Sequence, residues 1–106
     1  MDINDLRNQA RLSYDRAVAK KNIQERMENR LTVSHNSGMF RVNTDLFVLL
    51  DLSEDDEMII LDAYDTPVKV NRAELRTLAR QRYAEIMNEW HEEWQALKKV
   101  RKAEDV

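Results

Sequence analysis

Residues 71–97 read NRAELRTLARQRYAEIMNEWHEEWQAL, and this stretch carries the clearest structural pattern of the chain. Its apolar side chains recur every three or four residues over about six turns, a period that strands cannot imitate. They are Leu75, Leu78, Ala79, Tyr83, Ile86, Met87, Trp90, Trp94 and Leu97. Asn71 can cap the first turn, and Glu74 three residues later completes a capping-box-like arrangement. We therefore predict one long amphipathic helix over residues 71–102.

The N-terminal region, residues 1–30, carries a second helical pattern. Asp2 is a candidate N-cap. Apolar residues follow it at spacings of three and four, first Ile3, Leu6, Ala10, Tyr14 and Ala17, then Ile23, Met27 and Leu31. The pattern is weak around Lys20 and Lys21, so we expect a helix with a weakly apolar middle.

The central region, residues 31–70, predicts two short β-hairpins. β-formers at 31–34 and 39–42 flank turn residues that include Gly38, which we expect to supply a positive φ. Residues 58–61 and 68–70 flank a turn around Pro67 in the same way. The whole chain is predicted to be a single α+β domain over residues 1–106.

Between the hairpins, Thr44 is a candidate cap for a short helix through Leu46 and Leu50. A run this short and apolar also fits a buried strand, but we favour the helix. Residues 53–57 are polar and almost all acidic, so they predict a loop.

Composition excludes several classes of site. The 106 residues contain no cysteine, which rules out disulfides, thiolate nucleophiles and cysteine metal sites. The longest apolar run, residues 46–50, is too short to cross a bilayer, and the N-terminus lacks the pattern of a secretory signal. We expect a cytoplasmic protein with no membrane partner.

No pattern indicates catalysis, a cofactor or a metal. His91, Glu92 and Glu93 match the first half of a zinc-protease motif, but Gln95 stands where the second histidine is needed. The acidic loop lacks the alternate spacing and the glycine of a calcium loop, so a solvated loop is favoured over a cation site. No serine lies in a nucleophile-elbow motif. We predict that the protein is not an enzyme.

A row of arginines at the start of the last helix breaks a local rule. Arg72, Arg76 and Arg80 recur every four residues near a helix N-terminus, where the macrodipole favours acidic side chains. Compensation by the acidic loop of the same molecule is the favoured explanation. The alternative is that these arginines, together with Arg82, contact phosphate or an acidic partner.

Two tryptophans one helical turn apart form an apolar ridge with Tyr83, Met87 and Leu97. Trp90 and Trp94 could belong to the core. However, the predicted helix is about 45 Å long at 1.5 Å per residue, whereas a domain of this size has a radius of gyration of about 13 Å. Its far end should project, so the ridge should face either the first helix or another chain. Tyr83, Met87, Trp90, Trp94 and Leu97 are the predicted partner-binding residues.

The stretch ILDAYDTPVKVN at residues 60–71, followed by a long helix, resembles small accessory or structural proteins of large tailed phages of the myovirus type. It is also similar to the C-terminal segment of tail-fibre assembly proteins, although this chain differs by its tryptophans and its many acids on the helix. The resemblance covers about the last half of the chain. It implies a phage-encoded protein that works by binding other proteins.

The sequence therefore predicts a non-enzymatic interaction protein that uses its long C-terminal helix. The partner would be a phage structural or assembly component, or a second copy in a homodimer. The alternative is a phage regulator that binds nucleic acid, or a host nucleic-acid enzyme, through the arginine row or the acidic loop. The weak phosphate signal does not favour nucleic acid.

Overall fold

The structure is a computed structural model that describes residues 2–104, with side chains described for residues 2–99. Its elements follow the order α1 (Ile3–Arg30), β1 (Thr32–His35), β2 (Gly38–Arg41), α2 (Thr44–Asp51), β3 (Glu57–Leu61), β4 (Pro67–Asn71) and α3 (Arg72–Glu104). Each strand pair is a separate antiparallel hairpin. The predicted α+β fold, with its two hairpins and the short helix between them, is confirmed.

Contacts divide the chain into two compact units. The first consists of residues up to Glu28 together with those from Asn88 onward, and the second runs from Asn29 to Met87. The first unit thus contains most of α1 and the later part of α3. The second contains both hairpins, α2 and the beginning of α3. The prediction of a single domain stays a prediction.

In the first unit, α1 and α3 run antiparallel. Lys20 lies over the ring of Trp94, and Arg26, further along α1, pairs with Glu93, which lies earlier on α3. The beginning of α1 is capped as predicted, because Asp2 Oδ1 accepts from the Asn4 amide at 3.4 Å. No helix in the described part of the chain is long and apolar enough to cross a membrane.

The second unit has a core formed by β2, α2, β3, β4 and the beginning of α3, with Val33 of β1 packed against it. The core comprises Phe40, Val42, Leu46, Leu50, Ile60, Val70, Leu75 and Ala79. Leu50, Val70, Leu75 and Ala79 are fully buried. Burying a side chain the size of leucine contributes about 1.5–3 kcal/mol, so these contacts dominate the stability of the unit.

The first hairpin differs from its prediction at Gly38. His35 pairs with Gly38 across the turn, so the two-residue loop is Asn36–Ser37. Those two residues have the positive φ angles, 48° and 67°, and Gly38 does not. Gly38 is needed for space instead, since a Cβ there would lie 2.9 Å from both Phe40 Cε2 and Val68 Cγ2. The predicted role of Gly38 as the positive-φ residue is wrong.

The short helix α2 is capped by a residue other than the predicted one. Asn43, with extended backbone angles, accepts from the Leu46 amide at 2.9 Å through Oδ1. Thr44 is already the first helical residue. The helix itself is confirmed over the alternative of a buried strand, because Leu46 and Leu50 on one face enter the core.

The turn of the second hairpin is organised by Asp62. Its carboxylate accepts from the amides of Tyr64 at 2.9 Å, Thr66 at 3.0 Å and Met39 at 3.4 Å. These hydrogen bonds stabilise the charged form, so the Thr66 amide first, and the Tyr64 and Met39 amides with it, lower the pKa of Asp62. Because Met39 belongs to β2, the carboxylate also joins the two hairpins.

The second hairpin leads directly into α3 at Asn71. Asn71 Oδ1 accepts from the Glu74 amide at 3.1 Å, as the predicted cap requires. The Asn71 amide itself donates to Nε2 of His35 at 3.2 Å. In a capping box the Glu74 side chain would accept from that amide. Here His35 of the first hairpin, which is only 8% exposed, accepts that hydrogen bond instead.

The turn geometry predicts opposite effects at two adjacent positions. Ser37→Gly should raise the free energy of unfolding by up to about 1 kcal/mol, because glycine relieves the left-handed conformation. Gly38→Ala should lower it by about 1–3 kcal/mol, because the added methyl group overpacks Phe40 and Val68. Urea unfolding measures both, with Ser34→Ala, on the same hairpin but exposed, as the control. A Gly38→Ala protein as stable as the unmodified chain would contradict the packing argument.

The low pKa of Asp62 predicts an acid-dependent contribution to stability. In the folded state its pKa is below the ordinary 3.8, so its charge stabilises the fold above that pH. This stabilisation is lost as the pH falls through the folded-state pKa. Urea unfolding over an acidic pH series should therefore show a steeper loss for the unmodified chain than for Asp62→Asn. Parallel pH profiles would show that the carboxylate charge does not contribute.

Candidate functional site

The two helices of the first unit form a recess around Trp94. Arg16, Ala17 and Lys20 of α1 line one side, and Trp94, Leu97 and Lys98 of α3 line the other. We call these six residues the tryptophan recess. A second cavity of similar size continues along the helices between Ile23, Gln24 and Trp90. The first helix therefore lies against Trp90, Trp94 and Leu97, one of the two arrangements that the sequence left open.

Trp94 remains partly accessible within this recess. Its side chain is 37% exposed, whereas Trp90 and Leu97 are half-buried. The Lys20 ammonium lies 5.5 Å from the centroid of the Trp94 ring, within the range of a cation–π interaction. The ammonium thus lies over one face of the indole, while part of the ring faces solvent.

The α1 side of the pair follows from helical spacing. Arg16, Lys20, Ile23 and Met27 are separated by four, three and four residues, so they share one face. Met27 is 1% exposed at the end of this face. The long stems of arginine and lysine can cover apolar surface while their charges stay in water. The face is therefore apolar at one end and becomes basic towards the recess.

Three of the five predicted partner-binding residues lie on the helical pair, and two do not. Trp90, Trp94 and Leu97 belong to the first unit, whereas Tyr83 and Met87 belong to the second. Tyr83 is 47% exposed and Met87 is half-buried. Partner binding by these residues stays a prediction.

The arginine row makes contacts within the second unit. Arg76 Nη1 lies 2.8 Å from Asp51 Oδ1, and Arg72 Nη1 donates to the Leu50 carbonyl at 3.1 Å. The charges of Arg76 and Arg72 are therefore compensated by Asp51 and the Leu50 carbonyl, at the C-terminal end of α2. The sequence analysis had favoured the side chains of the acidic loop, which follows α2.

The other two arginines differ from each other. Arg82 donates to the Arg30 carbonyl at 2.9 Å and to Glu85 at 3.2 Å. Arg80 is exposed. Intramolecular contacts thus engage three of the four arginines that were candidates for an anionic partner.

The acidic loop and the histidines form no metal-binding arrangement within residues 2–99. No three acidic, histidine or cysteine side chains there are grouped around a possible ion position. The loop is tied to the fold by the Arg72 amide, which donates to the Asp56 carbonyl at 2.9 Å, and Glu57 pairs with Lys69 at 3.0 Å. His91 lies 3.1 Å from Gln95 on the surface of α3.

Sequence reasoning missed Arg16 and Lys20, two of the three α1 residues of the recess. Of the apolar residues that predicted α1, those from Ile3 to Ala17 are exposed, whereas Ile23 and Met27 are not. The face that packs on α3 carries Arg16 and Lys20, which count as polar in any hydrophobic pattern. A search for lysine or arginine at helical spacing from Met27 and Ile23 would have pointed to this face.

The Arg76–Asp51 pair predicts a small, salt-dependent contribution to stability. Both side chains are partly exposed, at 37% and 52%, so the pair should contribute no more than about 1 kcal/mol. Arg76→Ala and Asp51→Ala should each lower the free energy of unfolding, and the double variant should lose less than the sum. Arg80→Ala is the matched control. Strict additivity of the two changes would show that the pair is not coupled.

The chain matches no protein-family model, no curated protein and no solved structure.

Proposed function

We propose that this chain is a non-enzymatic interaction protein that binds a protein partner through the tryptophan recess. The observation that carries the proposal is the partly exposed Trp94 ring at an apolar opening between two helices. Tryptophan is among the residues most enriched where binding energy is concentrated.

The recess favours a partner segment that is apolar and acidic. Ala17, Trp94 and Leu97 provide apolar surface for an inserted side chain. Arg16, Lys20 and Lys98 place positive charge around it. Complementary charge raises the association rate and selects against basic partners. A short acidic amphipathic segment of the partner fits both properties.

The proposed role is that of a phage-encoded accessory factor in the virion or its assembly. Support comes from the resemblance of residues 60–71 and the following helix to small proteins of tailed phages. The protein would act in the cytoplasm of the infected host cell or remain in the virion. The helix α3 contributes residues to both compact units, and its later part lines the tryptophan recess through which we propose that the partner binds.

The alternative, a regulator that binds nucleic acid or a host nucleic-acid enzyme, has less support. Arg72, Arg76 and Arg82 are engaged by groups of the same unit, and phosphate binding would have to displace those contacts. The exposed Arg80 alone is a weak anion site.

Replacing Trp94 tests the proposed function. The partner would be captured from infected cells with the unmodified chain, identified by mass spectrometry, and purified for calorimetry. Trp94→Ala should weaken its binding by at least about 2 kcal/mol, roughly 30-fold, because it removes the central aromatic contact. Glu92→Ala changes an exposed residue of the same helix outside the recess and should bind as the unmodified chain does.

Circular dichroism separates loss of binding from loss of structure. Both variants should keep the helical signal of the unmodified chain. A Trp94→Ala protein that is fully helical and binds the partner with undiminished affinity would refute the recess as the binding site.

A further inference from the structure

We propose that β3 binds an extended, basic segment of a partner protein, which adds to the second hairpin as a third strand. Two features of β3 support this. Its outer edge carries unpaired backbone groups, and acidic side chains lie beside that edge. Both features belong to the second unit, whereas the tryptophan recess belongs to the first.

The hydrogen bonds of the second hairpin show which backbone groups of β3 point outward. The Arg72 amide donates to the Asp56 carbonyl, and the Asp62 amide donates to the Thr66 carbonyl, each at 2.9 Å. Hydrogen-bonded and non-hydrogen-bonded pairs alternate along an antiparallel ladder. The register between these two bonds therefore leaves every odd-numbered residue of β3 with its N–H and C=O directed away from β4. These residues are Glu57, Ile59 and Leu61, which we call the open edge.

The open edge differs from the opposite edge of the hairpin, on β4. There the Lys69 carbonyl accepts from Asn36 Nδ2 at 2.9 Å, and the Asn71 amide donates to His35 Nε2 at 3.2 Å. The first hairpin thus covers the β4 edge. Within the described residues, no hydrogen bond engages the outward N–H and C=O groups of the open edge.

Unpaired peptide groups in this arrangement fit an extended strand. A row of outward N–H and C=O groups is a template to which another strand can hydrogen-bond, and neighbouring side chains then select its sequence. Ile59 is 69% and Leu61 59% exposed, on the face of the hairpin opposite the buried Ile60. A segment with apolar residues at alternate positions would pair with both side chains.

Charge beside the open edge selects a basic segment. Asp55, Asp56 and Glu57 line one open cavity together with Ile59 and Lys69, so its charged side chains have a net charge of −2, three negative and one positive. Lys69 pairs with Glu57 at 3.0 Å, whereas Asp55 and Asp56 form no ion pair within residues 2–99. A second copy of β3 would bring a second set of acids to the contact, so like charges disfavour it.

A synthetic peptide serves as the probe. In the blocked peptide Lys-Thr-Val-Thr-Val-Thr-Lys, the valines and lysines share one face of an extended strand. Fluorescence anisotropy of the labelled peptide should show saturable binding that weakens between about 0.05 M and about 0.5 M salt. The same peptide with glutamate in place of both lysines should bind at least about 10-fold more weakly, because its charge is repelled.

Amide hydrogen exchange followed by NMR distinguishes strand addition from other contacts. At saturation, the peptide should slow exchange at Glu57, Ile59 and Leu61 by at least about 10-fold, because their amides gain acceptors. The Ile60 amide, which already bonds to β4, should exchange slowly with or without peptide. The Ser34 amide points away from β2 and should exchange equally fast in both states.

Two changes at Ile59 separate its backbone from its side chain. Ile59→Pro removes an outward N–H without removing a hydrogen bond of the hairpin. It should weaken peptide binding by at least about 10-fold, because the donor is lost and the ring blocks the incoming strand. Ile59→Ala keeps the N–H and should weaken binding by no more than about 3-fold. Circular dichroism and urea unfolding establish that the proline variant is folded.

A charge variant tests the site without changing the backbone. Asp55→Asn with Asp56→Asn should weaken peptide binding by about 3- to 10-fold at low salt and reduce its salt dependence. The matched control is Asp5→Asn with Glu92→Gln, which removes two exposed acids from the helices and should bind as the unmodified chain does. Trp94→Ala should also bind this peptide normally, so the open edge and the tryptophan recess can fail separately.

Four results would overturn the proposal. They are an unmodified chain that does not bind the peptide at about 1 mM, binding that leaves the open-edge amides unprotected, a folded Ile59→Pro protein that binds as tightly as the unmodified chain, and an affinity that the charge variant retains in full. Protection of the open edge that rises with protein concentration in the absence of peptide would show that a second copy occupies it, and would overturn the proposal as well.

Discussion

The hydrogen bond from the Asn71 amide to His35 Nε2 lies at the junction between β4 and α3. The packing of the second unit depends on this junction. At this point β4 ends and α3 begins, and Asn71 also caps α3 through its side chain. The next residue, Arg72, binds the Asp56 carbonyl with its amide and the Leu50 carbonyl with its guanidinium. Two consecutive residues thus connect the first hairpin, the end of α2, the acidic loop and the long helix. Buried polar groups of this kind are costly when unpaired, so the arrangement selects one packing of these elements.

The helical pair of the first unit is held together differently. Its contacts are a narrow apolar line from Met27 to Trp94 and Leu97, with Lys20 on the indole and the Arg26–Glu93 ion pair beside it. Met27 is the only buried apolar residue of this unit within residues 2–99, whereas the second unit has nine. Exposed ion pairs add little to its stability. The pair is therefore the part of the chain in which added apolar contacts from a partner would contribute most.

Local patterns were enough to predict every element, because helical period, turn residues and capping residues act over a few positions. Asn71 and Glu74 predicted the start of α3, and the apolar residues of α2 predicted a helix. The errors arose at positions whose structural role depends on residues far away in the sequence. Gly38 was predicted to be a turn residue because glycine is common in turns. In the structure, the side chains of Phe40 and Val68 leave no space for a larger residue at this position. The partner of the Asn71 amide could not be predicted, because a histidine 36 positions away replaces the nearby glutamate.

The same limit explains why the candidate sites were only partly predicted. Periodicity identifies an apolar face but does not say what covers it. In α2 the face formed by Leu46 and Leu50 is buried, whereas the face formed by Val48, Leu49 and Leu52 is exposed, and both have the same chemistry. In α1 the more regular apolar face is exposed, and the one that packs on α3 is partly basic. A short helix with apolar residues on two faces can bury only one of them in its own unit. Packing against the hairpins and α3 selects the face of Leu46 and Leu50, and no local pattern in the sequence of α2 records that choice.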